Sequence, residues 1–138
     1  MSYQLNETFV YKLVMAQRKI GAILRRDFAD SGITQDNYIT LHFIYENDGL
    51  TQTELAALNG KDHNVIVRTI DRLEQNGLAE RRRGIKDRRS FTLHITDKGK
   101  EVIDKYWNTI LLRQEQVLGV LSEDERNILM TSLDKIIN

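Results

Sequence analysis

Leu50-Thr51-Gln52-Thr53-Glu54-Leu55 opens, and Leu93-His94-Ile95-Thr96-Asp97-Lys98-Gly99 closes, the stretch that decides the fold of this 138-residue chain. Thr51-x-x-Glu54 has the spacing of a capping box, and Leu50 with Leu55 supplies the hydrophobic staple across it, so a helix starts here. That helix is short, because Asn59-Gly60 ends it. A second helix begins around Asp62 and runs to Gly77, with Ile66, Ile70 and Leu73 spaced as its buried stripe. Beyond Gly77, Leu78-Ala79-Glu80-Arg81 and Phe91-Thr92-Leu93-His94-Ile95 read as two strands. The second alternates, with Phe91, Leu93 and Ile95 inward and Thr92 and His94 outward. Between the strands lies the basic run Arg81-Arg82-Arg83-Gly84-Ile85-Lys86-Asp87-Arg88-Arg89. A short helix, a glycine turn, a longer helix and a basic hairpin, in that order, describe a winged helix-turn-helix, whose second helix enters the major groove of duplex DNA.

Charge supports this reading only when it is taken locally. The whole chain carries 20 basic and 20 acidic residues. Residues 61–100 hold 11 Lys/Arg against 6 Asp/Glu, whereas residues 1–60 hold 5 against 7 and residues 101–138 hold 4 against 7. A phosphate-binding face needs a concentrated field, because screening removes it over about 8–10 Å at physiological salt. On the second helix, the stripe of Ile66, Ile70 and Leu73 leaves Lys61, His63, Asn64, Val67, Arg68 and Arg72 for the groove. Asn pairs with adenine, Arg with guanine or phosphate, and a Val methyl packs on a thymine methyl. In the wing, Arg83, Lys86, Arg88 and Arg89 are candidate phosphate or minor-groove contacts. Asp87 would repel phosphate at a wing tip. Its role is therefore internal, either a salt bridge that aims an arginine or hydrogen bonds to the turn amides.

The flanks read as helices. Apolar residues at Phe9, Leu13, Ala16, Ile20, Ile23 and Leu24 mark one face of a helix from Leu5 to about Phe28, which Gly32 closes. Thr34 caps the next helix, with Tyr38, Leu41, Ile44 and Tyr45 inward, before the turn Asn47-Asp48-Gly49. A helix from Asp97 to about Val120 follows the wing, and a last one begins at the capping box Ser122-x-x-Glu125. It carries Ile128, Leu129, Leu133, Ile136 and Ile137. A winged region of roughly 50 residues cannot cover all these stripes, so a second copy of the chain is the expected cover. The fold class is mostly α with a small β wing (α+β). The single domain spans 1–138, with about 32–99 as the winged helix-turn-helix and about 1–30 and 100–138 as dimerisation helices.

Gly32-Ile33-Thr34, Leu50-Thr51-Gln52-Thr53-Glu54-Leu55-Ala56, Asp71-Arg72-Leu73-Glu74-Gln75-Asn76-Gly77-Leu78, and Asp87-Arg88-Arg89 followed by Leu93-His94-Ile95-Thr96-Asp97-Lys98-Gly99 together resemble the MarR family of transcriptional regulators. The resemblance implies a homodimer whose N- and C-terminal helices interlock, bound to double-stranded DNA at a pseudo-palindromic operator. It implies that Arg89 is the minor-groove arginine, that Asp87 orients it, and that Arg68 contacts DNA from the recognition helix. It also implies a repressor whose affinity falls when a small aromatic or phenolic effector enters a cleft between the dimer helices and the winged region. Tyr11, Met15, Tyr38, His42, Tyr106 and Trp107 are the residues that could line that cleft. The chain departs from the family pattern at Asn64, Val65 and Val67, where Ser or Thr is common, and at Arg83 and Ile85, where the wing usually has proline. An individual base preference and a more basic wing are expected.

Other chemistries find little support. No cysteine is present, which excludes a thiol sensor. No glycine-rich phosphate loop or Gly-x-Ser-x-Gly elbow appears, so no enzyme activity and no cofactor are expected. The three histidines, His42, His63 and His94, fall on different elements without paired carboxylate spacing, so no metal site is expected. No apolar run approaches the ~18–20 residues of a membrane span and the start lacks a signal-peptide pattern, which points to the cytoplasm. A winged helix used as a protein-interaction module is the rival reading. The basic wing argues against it, because a docking surface more often exposes apolar or aromatic residues.

Overall fold

The computed structural model describes residue 1, residues 3–84 and residues 90–138. Its elements run α1 (Phe9–Phe28), α2 (Gln35–Glu46), α3 (Gln52–Asn59), α4 (His63–Gln75), β1 (Ala79–Arg83), β2 (Phe91–Ile95), α5 (Asp97–Leu118) and α6 (Glu123–Ile137). The expected helix from Leu5 is interrupted. Leu5–Glu7 form one 3-10 turn, Thr8 is extended, and its hydroxyl accepts the Tyr11 amide at 3.2 Å, so α1 starts at Phe9. Thr34, Thr51, Thr96 and Ser122 cap α2, α3, α5 and α6 in the same way. The reciprocal bond of a full capping box, a glutamate reaching back to the cap amide, forms at Ser122 and Glu125; at Thr51, where the spacing also predicts a box, only the hydroxyl half is present, accepting the Glu54 amide at 3.2 Å. The box at Ser122 holds the Glu125 carboxyl below its ordinary pKa, chiefly through the Ser122 amide.

The core gathers on the winged region. Leu41, Ile44, Leu55, Ile66, Ile70, Leu73 and Leu93 are fully buried. Leu24 and Phe28 of α1 and Ile103 and Tyr106 of α5 close it from the other side. Phe28 is the hub of an aromatic cluster, 4.6 Å from the Tyr106 ring and 5.4 Å from that of Tyr38. The Tyr38 hydroxyl donates to the Ile103 carbonyl at 3.0 Å, and burial followed by the nearby Asp104 charge pushes its pKa up to about 12. Tyr45, expected on the inner face of α2, is exposed. At Gly99 in the first turn of α5, an added Cβ would lie 2.1 Å from the Leu78 carbonyl oxygen, so only glycine lets the helix start this close to the wing.

β1 and β2 pair antiparallel from Ala79↔Ile95 to Arg83↔Phe91, two residues longer at the β1 end than the sequence pattern indicates. The other edge of β2 is also occupied. Gly49 donates to the Leu93 carbonyl at 2.9 Å and Leu93 donates to the Leu50 carbonyl at 2.8 Å, so the wing is stitched to the residues that open α3. His94, expected to point into solvent, instead lies half-buried across this seam, 2.9 Å from both Asp48 Oδ1 and Thr92 Oγ1.

Candidate nucleic-acid interface

The helix-turn-helix pivots on Gly60, which adopts the left-handed conformation at φ 64° that ends α3 and lets α4 leave at an angle. Two polar contacts fix the turn to α2. Asn59 donates to the buried Thr40 hydroxyl at 2.6 Å, and the Lys61 ammonium pairs with the Asp36 carboxylate. The face of α4 that meets the core consists of Ile66, Thr69, Ile70 and Leu73. Thr69 joins the expected stripe because its hydroxyl is satisfied within the helix, donating to the Val65 carbonyl at 3.0 Å. Asn64, Arg68 and Arg72 are exposed on the opposite side, His63 is exposed in the first turn in line with Ile66 and Ile70, and Val67 is half-buried at the edge. Lys61 is already half-covered by its partner.

The base of the wing differs from the uniformly basic run that the sequence presents. Arg81 is turned inward: its guanidinium reaches Asp71 Oδ1 at 2.6 Å and Glu74 Oε1 at 2.9 Å, so its charge is already balanced. Arg82 bonds Glu80 Oε1 through Nε at 2.8 Å. The alternation of a strand explains the division, since successive side chains leave on opposite faces and one face here meets α4. Arg83 is exposed. Lys86, Asp87, Arg88 and Arg89, which carry the minor-groove expectation, lie outside the described residues.

A second feature sits between α2 and α5. A cleft of about 290 Å³ is lined by Leu24, Tyr38, Ile39, His42, Phe43, Trp107 and Ile110, with Gln35 and Glu46 as its polar members. Of the six residues named from sequence as lining such a cleft, Tyr38, His42 and Trp107 do so. The other three do not line it: Tyr106 is packed against Phe28 in the core, and Tyr11 and Met15 lie nearer the start of α1. Ile39, Phe43 and Glu46 were not anticipated. Ile39 and Phe43 are ordinary helix apolars with no local signal, whereas Glu46 stands at the i,i+4 spacing from His42 and is its partner at 2.9 Å. His42 and His94 thus both have a carboxylate partner, contrary to the sequence expectation. Among the described residues no group of three or more His, Asp or Glu side chains could hold a metal ion. The His42 ring stacks on Trp107 at 5.1 Å, and its Nδ1 is buried with no partner among the described residues. A further hollow of about 420 Å³, lined by Arg25, Phe28 and residues 32–36, opens between the end of α1 and the start of α2.

Comparison with known proteins accords with this architecture. The family profile described as "MarR family" matches residues 31–90. The chain is 29% identical over 132 residues to the HTH-type transcriptional regulator BilQ of Clostridium symbiosum, covering 96% of this chain and 92% of BilQ. It is 30% identical over 110 residues to the uncharacterized HTH-type transcriptional regulator YkoM of Bacillus subtilis, covering 80% of this chain and 71% of YkoM. Among solved structures, the transcriptional repressor CouR bound to a 23-mer DNA duplex superposes with a TM-score of 0.89 at 28% identity over the full length of both chains. The chain belongs to the MarR family of transcriptional regulators.

Proposed function

We propose that this protein is a homodimeric, sequence-specific DNA-binding repressor of the cytoplasm that releases a pseudo-palindromic operator when a small aromatic or phenolic effector binds. The observation that carries the reading is the division of α4: one side is locked into the core by Ile66, Ile70 and Leu73, and the other exposes Asn64, Arg68 and Arg72 beside a basic hairpin. Asn64, Val67 and Arg68 read bases in this scheme. Arg72 and Arg83 neutralise phosphates, His63 contributes a phosphate contact, and Lys61 joins them with the ammonium donors that Asp36 leaves over. Arg89 enters the minor groove with Asp87 as its orienting partner, and Lys86 and Arg88 add phosphate contacts. Solvent-facing cations on α4, rather than apolar anchors, favour DNA over a protein partner.

Dimerisation falls to the flanking helices, about 1–30 and 100–138, around the winged region of about 32–99. Phe9 and Leu13 of α1, Leu111 and Leu112 of α5, and Ile128, Leu129, Ile136 and Ile137 of α6 are all exposed in the single chain, and a second copy would cover them. The effector enters the cleft between α2 and α5 and lays its ring near the stacked His42 and Trp107. With Nε2–H donating to Glu46, His42 Nδ1 is a bare acceptor, and a phenolic hydroxyl is the donor it lacks. The reading assigns the chain no catalysis and no cofactor. Among the described residues no helix is long and apolar enough to cross a membrane. Selection of bound sites from a random duplex library tests the proposal. The expected product is a two-fold symmetric motif with half-sites about one helical turn apart; recovery of unenriched sequence defeats it.

A further inference from the structure

We propose that Arg81 is a positioning residue for DNA recognition, one that sets the angle between α4 and the wing without itself touching DNA; the inference rests on the DNA-binding reading above. Nothing about its place in the sequence marks it out, as it is the first of three consecutive arginines in the most basic stretch of the chain. The structure separates it from the other two. Its side chain is 17% exposed, against 59% for Arg82.

Its bonds span three elements. Nε donates to Gln52 Oε1 in the first turn of α3 at 3.2 Å. One terminal nitrogen donates to Glu74 Oε1 at 2.9 Å, and the other to Asp71 Oδ1 at 2.6 Å and to the Val67 carbonyl at 3.5 Å. The second oxygen of Glu74 accepts the Arg81 backbone amide at 3.0 Å, so that carboxylate grips strand and side chain together. Val67, Asp71 and Glu74 stand at i, i+4 and i+7, which makes them one stripe of α4 beside the stripe that bears Asn64 and Arg68. A single guanidinium therefore joins the start of α3, the flank of the recognition helix and the root of the wing.

Two consequences follow from charge and shape. Asp71 and Glu74 outweigh one guanidinium, so this corner offers no net positive field to a phosphate; Arg81 offsets the two acids and makes no phosphate contact of its own. The planar fork also matters, because its fixed donors hold several acceptors in one geometry, whereas a lysine ammonium is a point charge on a flexible stem. The wing root is held in direction, and with it the distance from the wing to the α4 face, which must match the spacing between adjacent grooves.

The test uses the full-length protein and fluorescence anisotropy on the duplex recovered by selection, with a random duplex as reference and a series of salt concentrations. Arg81→Lys and Glu74→Gln are each expected to weaken the selected duplex roughly tenfold. Both should leave the random duplex within about twofold and the slope of log affinity against log salt unchanged. Glu74→Gln carries the sharper sign, since removing an acid beside DNA would strengthen binding if charge alone mattered. Arg83→Ala is the contrast: as a phosphate contact it should weaken both duplexes and flatten the slope by about 0.9. Arg81→Lys with undiminished affinity, Glu74→Gln with raised affinity, or Arg81→Met with a slope flattened like that of Arg83→Ala each overturns the proposal. Should Arg81→Met unfold on heating earlier than the parent, the two milder variants still decide the matter. Failure of the DNA-binding reading looks different, as the parent protein would then prefer no duplex and Arg68→Ala would change nothing.

Discussion

α4 and α6 are helices of similar length, 13 and 15 residues, and both carry apolar residues along one side, yet they end in opposite situations. α4 buries Ile66, Thr69, Ile70 and Leu73 against α2, α3 and the wing. α6 buries nothing, with Ile128 at 66% and Ile137 at 77% exposure. An amphipathic pattern states that a face must be covered and leaves open which surface covers it. For α4 the cover lies within the chain; for α6 we propose that it lies in a second copy.

The comparison can be broken most directly in the core. Leu55→Ala should cost about 2–5 kcal/mol of unfolding free energy, since the cavity it leaves is enclosed on all sides. Chemical denaturation would read this, and a loss under about 1 kcal/mol would mean that the winged core relaxes around the gap. At the other pole, Ile128→Asp should leave the helical content intact while shifting sedimentation from dimer to monomer. Thermal midpoints should also lose their dependence on protein concentration, as expected when a partner subunit no longer stabilises the fold. A variant that sediments like the parent would place the α6 stripe outside the interface.

Arg68→Ala probes the exposed side of α4. It should cost about 1–3 kcal/mol in binding to the selected duplex and leave denaturation unchanged, which separates recognition from stability within one helix. Acid probes the seam between α1 and α5, where Arg113 donates to both oxygens of Asp27 at 2.8 and 2.9 Å. That bidentate bond holds the Asp27 carboxyl below its ordinary value. The stabilisation is thus complete above the unfolded aspartate value of about 3.9 and disappears as pH falls through the lower folded value. Asp27→Asn should flatten the acid limb of the stability profile, and an unchanged limb would show that other carboxylates govern it. The smallest effect is expected at Ser122→Ala, about 1 kcal/mol from the lost cap of α6, read as fraying by circular dichroism.

Legibility tracked the range of the interactions involved. The hydroxyl caps at Thr34, Thr51 and Ser122, the stripe of Ile66, Ile70 and Leu73, and the span of the strand Phe91–Ile95 rest on neighbours within a few residues and are present, whereas the glutamate half of the box read at Thr51 and the outward His94 are not. Tyr38, His42 and Trp107 were legible as aromatic and imidazole groups on adjoining helices, but Tyr106 has the same chemistry and sits in the core instead. Only one position separates Tyr106 from Trp107, and the rotation of α5 against Phe28 decides which of them faces the cleft. The wing shows the same limit, because three consecutive arginines look alike in a sequence and the pleat sends Arg81 to two carboxylates on α4.

The sequence by itself determined that this chain builds a winged helix-turn-helix between helical flanks, and that its positive charge is concentrated on the part that faces DNA in the proposed function. Periodicity, caps and glycine turns are local, and local energetics suffices for them. Which cations are spent on internal pairs, which aromatics line a cleft, and which apolar faces stay uncovered were decided only by tertiary structure. The decisive contacts bring together groups well separated in the chain, as Gln52 and Arg81, 29 positions apart, meet at the root of the wing.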